Sequence, residues 1–181
     1  MPHKLKSDKD KSSLHACFCK VTGYNIPVSY FLNADCYGVK HDGEFVGGFV
    51  IKKDLLLNLR SFQEIPLTLV PSLPYNKYRN KTADLTGYFL MDKRYGLKLT
   101  WLFVKTIVFY SSKYFIYSYD VSNLRLGRYY AAGDPTLLHS GIPALIEGYT
   151  EEQPPVNVEI LSKWGIVKIF IYRTRKMVLK F

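Results

Sequence analysis

Lys93, Arg94, Gly96 and Lys98 crowd into one short bend, Asp92-Lys93-Arg94-Tyr95-Gly96-Leu97-Lys98. The run before it, Ala83-Asp84-Leu85-Thr86-Gly87-Tyr88-Phe89-Leu90, reads as a strand. The apolar run from Leu97 to Tyr110 after it needs a helix. The first amides of a helix lack intrahelical partners, and the helix dipole favours an anion there. Positive charge and a glycine at such a place, directly after a strand, suit a phosphate. A phosphate-bearing cofactor is therefore the first chemistry to expect.

Cysteine chemistry is a poorer match. Cys17, Cys19 and Cys36 are odd in number and share no repeated spacing, so they make no disulfide framework. Cys17-x-Cys19 is too tight for the usual zinc spacing and has no histidine pair beside it; they read as ordinary thiols, and no metal is expected. Lys and Arg number 25 against 15 Asp and Glu, a net charge of +10. Part of that charge sits at the ends, on Lys4, Lys6, Lys9 and Lys11 and on Arg173, Arg175, Lys176 and Lys180. Excess positive charge attracts polyanions: nucleic acid, a phosphorylated cofactor, an acidic carrier protein or an acidic peptide.

These residues need elements to hold them. At 181 residues with 48% hydrophobic content, the chain is long and apolar enough to fold around a sizeable core. Residues 1–13 read as a flexible basic tail and 14–181 as one domain. A short helix falls between Leu14 and the Gly23–Pro27 break, and a second helical piece around Val28 to Asn33. Cys36–Lys40 and Phe45–Ile51 flank His41-Asp42-Gly43-Glu44, a strong hairpin signal. A third strand is expected within Leu55 to Phe62, and an irregular Pro-rich segment over 64–82. Tyr114 to Asp120 reads as a strand, and Ser122 or Asn123 can cap a helix Leu124 to Ala132 that Gly133-Asp134-Pro135 ends. Val156–Leu161 and Ile166–Tyr172 read as strands joined at Lys163-Trp164-Gly165, with 174–181 extending the second. Strands with helices between the middle ones give a mixed sheet covered by helices, an α/β or α+β class. No apolar run reaches the ~20 residues of a membrane span. The N-terminus shows no signal-peptide pattern, so a cytoplasmic protein is expected.

From about Cys36 to Phe181 this order resembles the GNAT superfamily of N-acyltransferases. Three features carry the resemblance. The hairpin Tyr37-Gly38-Val39-Lys40-His41-Asp42-Gly43-Glu44-Phe45-Val46-Gly47-Gly48-Phe49 is similar to the family's second and third strands. The family's phosphate loop reads Arg or Gln, two residues, Gly, one residue, then Gly or Ala; Lys93, Gly96 and Lys98 take those places. Asn123, Leu126, Tyr129 and Tyr130 match a pattern of Asn, a small apolar residue, and an apolar residue followed directly by Tyr. The resemblance implies a mixed, mostly antiparallel central sheet flanked by helices. Lys98 departs from the pattern, because a small residue there lets backbone approach the pyrophosphate.

The same resemblance implies a donor, a reaction and roles. The donor would be acyl-CoA, gripped by Leu90, Met91, Lys93, Arg94, Tyr95, Gly96, Leu97 and Lys98, with Asn123 and Arg128 on the later helix. With Lys98 in place, an acyl group on an acidic carrier protein is a live alternative. Backbone amides near Leu90 and Met91 would polarise the thioester carbonyl. Tyr130 would protonate the departing thiolate. Asp84 leads as general base, ahead of Glu64 and His139. The chain looks similar to enzymes that fatty-acylate lysine or ornithine side chains of ribosomally made peptides, with N-acyl amino acid or acyl-homoserine lactone synthases as a neighbouring reading. The helix Leu97 to Tyr110 is apolar nearly all round and is expected to be buried on both sides. With 11 Phe, 15 Tyr and 2 Trp, the interior also has the material to line a tunnel for a long chain. Self-pairing into a dimer is common in that fold. Two other classes compete: a basic nucleic-acid-binding module in which Tyr75, Lys77, Tyr78 and Arg79 interleave, and a GNAT-like scaffold that binds without catalysis.

Overall fold

The computed structural model describes residues 3–145 and 154–178, with side chains over 4–145 and 154–172. In chain order the elements are β1 (His3–Lys4), α1 (Asp8–Thr22), α2 (Val28–Leu32), β2 (Asp35–His41), β3 (Glu44–Lys53), α3 (Arg60–Gln63), α4 (Tyr75–Tyr78), β4 (Thr82–Leu90), α5 (Gly96–Phe109), β5 (Tyr114–Asp120), α6 (Leu124–Ala131), β6 (Thr136–Gly141), β7 (Val156–Ser162) and α7 (Lys163–Val178). Short 3₁₀ turns add Leu56–Asn58, Val70–Ser72 and Lys93–Tyr95. The chain forms two compact units that divide in the middle of β4. The first takes the residues up to Lys52 with Leu85–Lys105; the second takes Lys53–Asp84 with the remainder.

In the first unit β1, β2 and β3 pair antiparallel, and β2–β3 is registered from Asp35↔Ile51 to His41↔Glu44. The hairpin falls where Asp42-Gly43 requires it, since both residues take positive φ, 49° and 84°. The expected tail is corrected. Ser7 Oγ accepts from the Asp10 amide at 3.1 Å and opens α1, whose first turn carries Asp8 and Asp10 against the helix dipole. Leu5 is buried, as are Leu14 and Phe18 of α1. Lys4 pairs with Asp35 at 2.6 Å, and Lys11 on α1 donates through Nζ to Leu32 O at 2.7 Å, so the segment is not a free tail. Leu99 and Phe103 of α5 are buried, and the Phe103 ring meets Phe49 at 4.9 Å and Tyr88 at 5.2 Å.

In the second unit β4 and β5 run parallel through Thr82↔Tyr114, Ala83↔Phe115 and Asp84↔Ile116. Parallel neighbours need a crossover, and α5 lies between them in the chain. β5 pairs antiparallel with β7 along its whole length, and β7 with β6. Antiparallel pairing thus predominates and helices accompany the strands, as expected of the mixed class. β6 was not read from the sequence.

Two further expectations are corrected. Leu55 to Phe62 is not a strand but a 3₁₀ turn followed by α3. Leu56, Leu59, Phe62 and Ile65 recur every third residue, and all four are buried against Ile116, Val158 and Ile160. Asp54 Oδ1 accepts from the Leu55 amide and from Asn58 Nδ2, which stabilises the turn over the extended form. Lys163 to Val178 is one helix, α7, not a bend and a strand. Ser162 Oγ accepts from the Gly165 amide at 3.0 Å and caps it, while Ile166 and Ile169 supply a buried i, i+3 pair. The basic side chains from Arg173 onward lie outside the described residues.

The sheet's second face carries α6 and α7, and the chain just beyond α6 meets α7 backbone to backbone at two glycines, Gly133 and Gly165. A Cβ on Gly165 would stand 2.5 Å from Gly133 O, and one on Gly133 2.8 Å from Gly165 O. Gly165→Ala is therefore expected to destabilise the fold by about 1–3 kcal/mol, read as a lower denaturant midpoint with unchanged slope. An unmoved midpoint would mean the helices do not approach this closely. Among the described residues no helix is long and apolar enough to cross a membrane.

Candidate active site

Strand alternation sorts the candidate groups of the second unit. Along β5, Ile116 packs with the α3 cluster, whereas Tyr117 and Tyr119 point to the opposite face. Tyr130 on α6 is half-buried on that opposite face, its ring 4.3 Å from that of Tyr117 and 5.2 Å from that of Tyr119. The helix that carries it is fixed as the sequence suggests: Asn123 Oδ1 accepts from the Leu126 amide at 3.1 Å. Asn123 and Arg128 are exposed.

Behind Tyr130 lies a network that sequence reasoning missed. Tyr117 OH donates to Glu159 Oε2 at 2.8 Å, Tyr119 OH to Glu159 Oε1 at 3.0 Å, and Asn157 Nδ2 to Tyr119 OH at 3.2 Å. The pairing register places Tyr117 opposite Glu159 and Tyr119 opposite Asn157. Burial, then the Glu159 charge and the hydrogen bond to it, push the Tyr117 phenol far above its ordinary value; burial likewise raises Tyr119. A phenol held protonated in the fold ionises near 10 in the unfolded chain. Its contribution is whole below pH 10 and is lost as pH rises beyond it. Stability should therefore fall above pH ~10 with a slope of about 1.4 kcal/mol per pH unit from Tyr117, and Tyr117→Phe should flatten that slope in alkaline denaturant melts. An unchanged slope would place the Tyr117 hydroxyl in solvent.

Glu64 lies on the other face of β5, at the end of α3. It is buried, and Arg60 Nη2 stands 2.7 Å from its Oε1 as an ion pair. Among the described residues neither carboxylate oxygen receives a well-aligned hydrogen bond. Burial pushes the Glu64 carboxyl up; the Arg60 charge and the Ser118 hydroxyl pull it part of the way back, and the Asp84 charge adds to the rise.

Asp84, the leading base by sequence, is otherwise employed. It is wholly buried, Oδ2 accepting from the Ser61 amide at 2.7 Å and Oδ1 from the Ser61 hydroxyl at 3.0 Å. It ties the start of α3 to β4, so its carboxylate serves the fold. His139 is on β6, not in a loop, and its Nε2 meets Ile142 O at 3.1 Å. β7 separates β6 from β5, which sets His139 about 10 Å, two strand spacings, away from β5.

The basic bend belongs to the first unit. Asp92 Oδ1 accepts from the Arg94 amide, the Tyr95 amide donates to Asp92 O, and the Gly96 amide to Lys93 O. The Arg94 guanidinium also forks onto the Asp92 carboxylate, with Nη2 to Oδ2 at 2.6 Å, and this contact holds the Asp92 carboxyl below its ordinary range. Part of the anion-binding capacity expected of the bend is thus met from within. Lys93, Leu97 and Lys98 are exposed, and Lys98 Nζ lies 5.5 Å above the Tyr95 ring, swung out rather than blocking. Gly96 has ordinary helical dihedrals, and a Cβ there would meet Leu90 Cδ2 at 3.3 Å. The Met91 amide donates to Val46 O at 2.9 Å, which corrects its assignment as an oxyanion donor and leaves Leu90.

The aromatic–basic segment proposed for nucleic acid is not a stacking platform. Tyr78 is buried edge-on against Tyr114 at 4.9 Å, and the Arg79 guanidinium lies over the Tyr75 ring.

Comparison with known proteins bears on the fold. No protein-family model matches the sequence, and no curated protein matches it. Solved structures do match, each over 90% of this chain. FeeM, an N-acyl amino acid synthase from uncultured soil microbes, superposes with a TM-score of 0.61 at 12% identity over 90% of its own chain. Arabidopsis thaliana NAA60 in complex with acetyl-CoA gives 0.58 at 12% identity over 98% of its chain. An IAA acetyltransferase from Bacillus cereus gives 0.56 at 14% identity over 98%. At these identities the likeness is one of fold, and the fold is the GNAT fold.

Proposed function

We propose that this protein is an N-acyltransferase that moves an acyl group from a phosphopantetheine thioester, acyl-CoA or an acylated carrier protein, to a primary amine. The observation that carries the reading is Tyr130: a half-buried phenol on an Asn-capped helix directly after β5, walled by Tyr117. The fold shared with N-acyltransferases supports it. In the proposed reaction a neutral amine attacks the thioester carbonyl, Glu64 takes the amine's proton, and Tyr130 gives its proton to the leaving thiolate. The carbon–sulfur bond breaks, an amide forms and a free thiol departs. Lys93 and Lys98, at the bend with Tyr95, Gly96 and Leu97, would meet the donor's phosphates. Arg94 joins them by releasing Asp92, and Leu90 would offer its amide to the carbonyl.

The finer reading is a medium or long acyl group passed to an amino acid or to a peptide lysine. An open, mostly apolar pocket of about 560 Å³, lined by Leu57, Val70, Pro71, Leu73, Pro74 and Tyr75 with Asn76 and Lys77, supports an apolar substrate group, and FeeM supports amino-acid acceptors. Mass spectrometry of the protein under non-denaturing conditions tests the donor. Retention of added CoA or acyl-CoA, lost in the double variant Lys93→Glu/Lys98→Glu, is expected; equal retention by the variant would remove the bend from the donor site.

A further inference from the structure

The apolar helix α5 is not buried on both sides. Leu99, Phe103 and Ile107 form its buried stripe, but Leu97 is 75% exposed, Trp101 71% and Phe109 80%. At 100° per residue these three fall within an arc of about 120°, and exposed Lys98 and Lys105 fall inside the same arc. No acidic residue interrupts the helix, whose sequence is GLKLTWLFVKTIVF. Three large apolar side chains standing out beside two lysines, in a chain of net charge +10, form a ridge that water solvates poorly.

We infer that this face of α5 seats the protein on an anionic lipid surface. The ridge has the composition of an interfacial helix, with aromatic and aliphatic groups for the acyl boundary and lysines for the headgroups. Lysine stems follow the apolar surface while their ammonium groups reach outward to lipid phosphates. A second copy is the poorer occupant, because a two-fold pairing of this face on itself would bring the lysines of one copy against those of the other. An acidic protein would need a groove to receive the ridge, whereas a bilayer receives a convex helix anywhere on its surface. The inference goes beyond the acyltransferase reading and does not rest on it: Leu97 and Lys98 adjoin the bend assigned to the donor, so the test falls on Trp101 and Lys105, which have no role in that reaction.

The test uses the full chain with Trp164→Phe, so that tryptophan emission reports Trp101 alone. Vesicles of equal parts phosphatidylcholine and phosphatidylglycerol should sediment the protein and shift its emission to the blue, while phosphatidylcholine vesicles should do neither. Trp101→Ala should weaken binding about tenfold or more, read by sedimentation, and so should Lys105→Glu, with thermal melts confirming the variants fold. Absence of sedimentation with both vesicles overturns the inference. So does binding that survives Trp101→Ala undiminished, which would reduce it to diffuse charge attraction. Concentration-dependent dimerisation that buries Trp101 without vesicles, or a blue shift only with an acidic protein, assigns the ridge to that partner instead and also overturns it.

Discussion

Replacing Tyr130 with Phe is expected to slow acyl transfer about 10²–10⁴-fold, the usual weight of a general acid, with donor affinity unchanged. The substitution removes one oxygen and keeps the ring that packs 4.3 Å from Tyr117, so the wall around it should stand. The loss should depend on the leaving group. A donor whose thiol is already acidic departs without help, so an aryl thioester should restore much of the rate, whereas an alkyl thioester should not. Single-turnover thiol release with the two donors measures this. Equal losses for both would mean that the hydroxyl holds the fold or the donor rather than protonating sulfur.

The second large effect separates the two buried carboxylates. Asp84→Ala should destabilise the protein by about 2–4 kcal/mol, because it strands the Ser61 amide and hydroxyl in the interior. Glu64→Gln should also destabilise, by about 2–4 kcal/mol because it strands the Arg60 guanidinium, but unlike Asp84→Ala it should lower the turnover of the folded protein about 10²–10⁴-fold. The pH profile sharpens the contrast. A base must be unprotonated, so kcat/KM should rise with pH through the Glu64 carboxyl, on a limb displaced above its ordinary 4.5. That limb should vanish in Glu64→Gln. Should Asp84→Asn abolish the limb with its midpoint unmoved, the two roles would have to be exchanged.

Where local chemistry decides conformation, the sequence was readable. Asp42-Gly43 demands positive φ, Asn123 caps α6 with its own side chain, and Leu97 to Tyr110 is too long an apolar run for a strand. Where burial decides, it was not. Ile166-Val167-Lys168-Ile169-Phe170-Ile171-Tyr172 has β-prone residues throughout, yet it coils because Ser162 caps it and Gly165 lets it rest on Gly133. Leu55 to Phe62 was misread for the same reason, since its three-residue apolar spacing matters only with a sheet face to cover. The network of Glu159 was hidden because a cross-strand pair belongs to the register of β5 and β7, which neither strand reveals alone. Its visible trace is the alternation Val156-Asn157-Val158-Glu159-Ile160, which places two polar side chains on one face of an otherwise apolar strand. Asp84 is legible as a notable carboxylate, but its hydrogen bonds to Ser61 are not, because Ser61 sits in a segment that reads as a strand.

The account rests on thioester aminolysis, and the most direct measurement is thiol release from a panel of acyl-CoAs and one acylated carrier protein, each with and without a primary amine. The expected result is release that requires the amine, yields an equal amount of N-acyl product and is largely lost in Tyr130→Phe. Absence of amine-dependent release from every donor would contradict the assignment and leave the GNAT fold here as a binding scaffold.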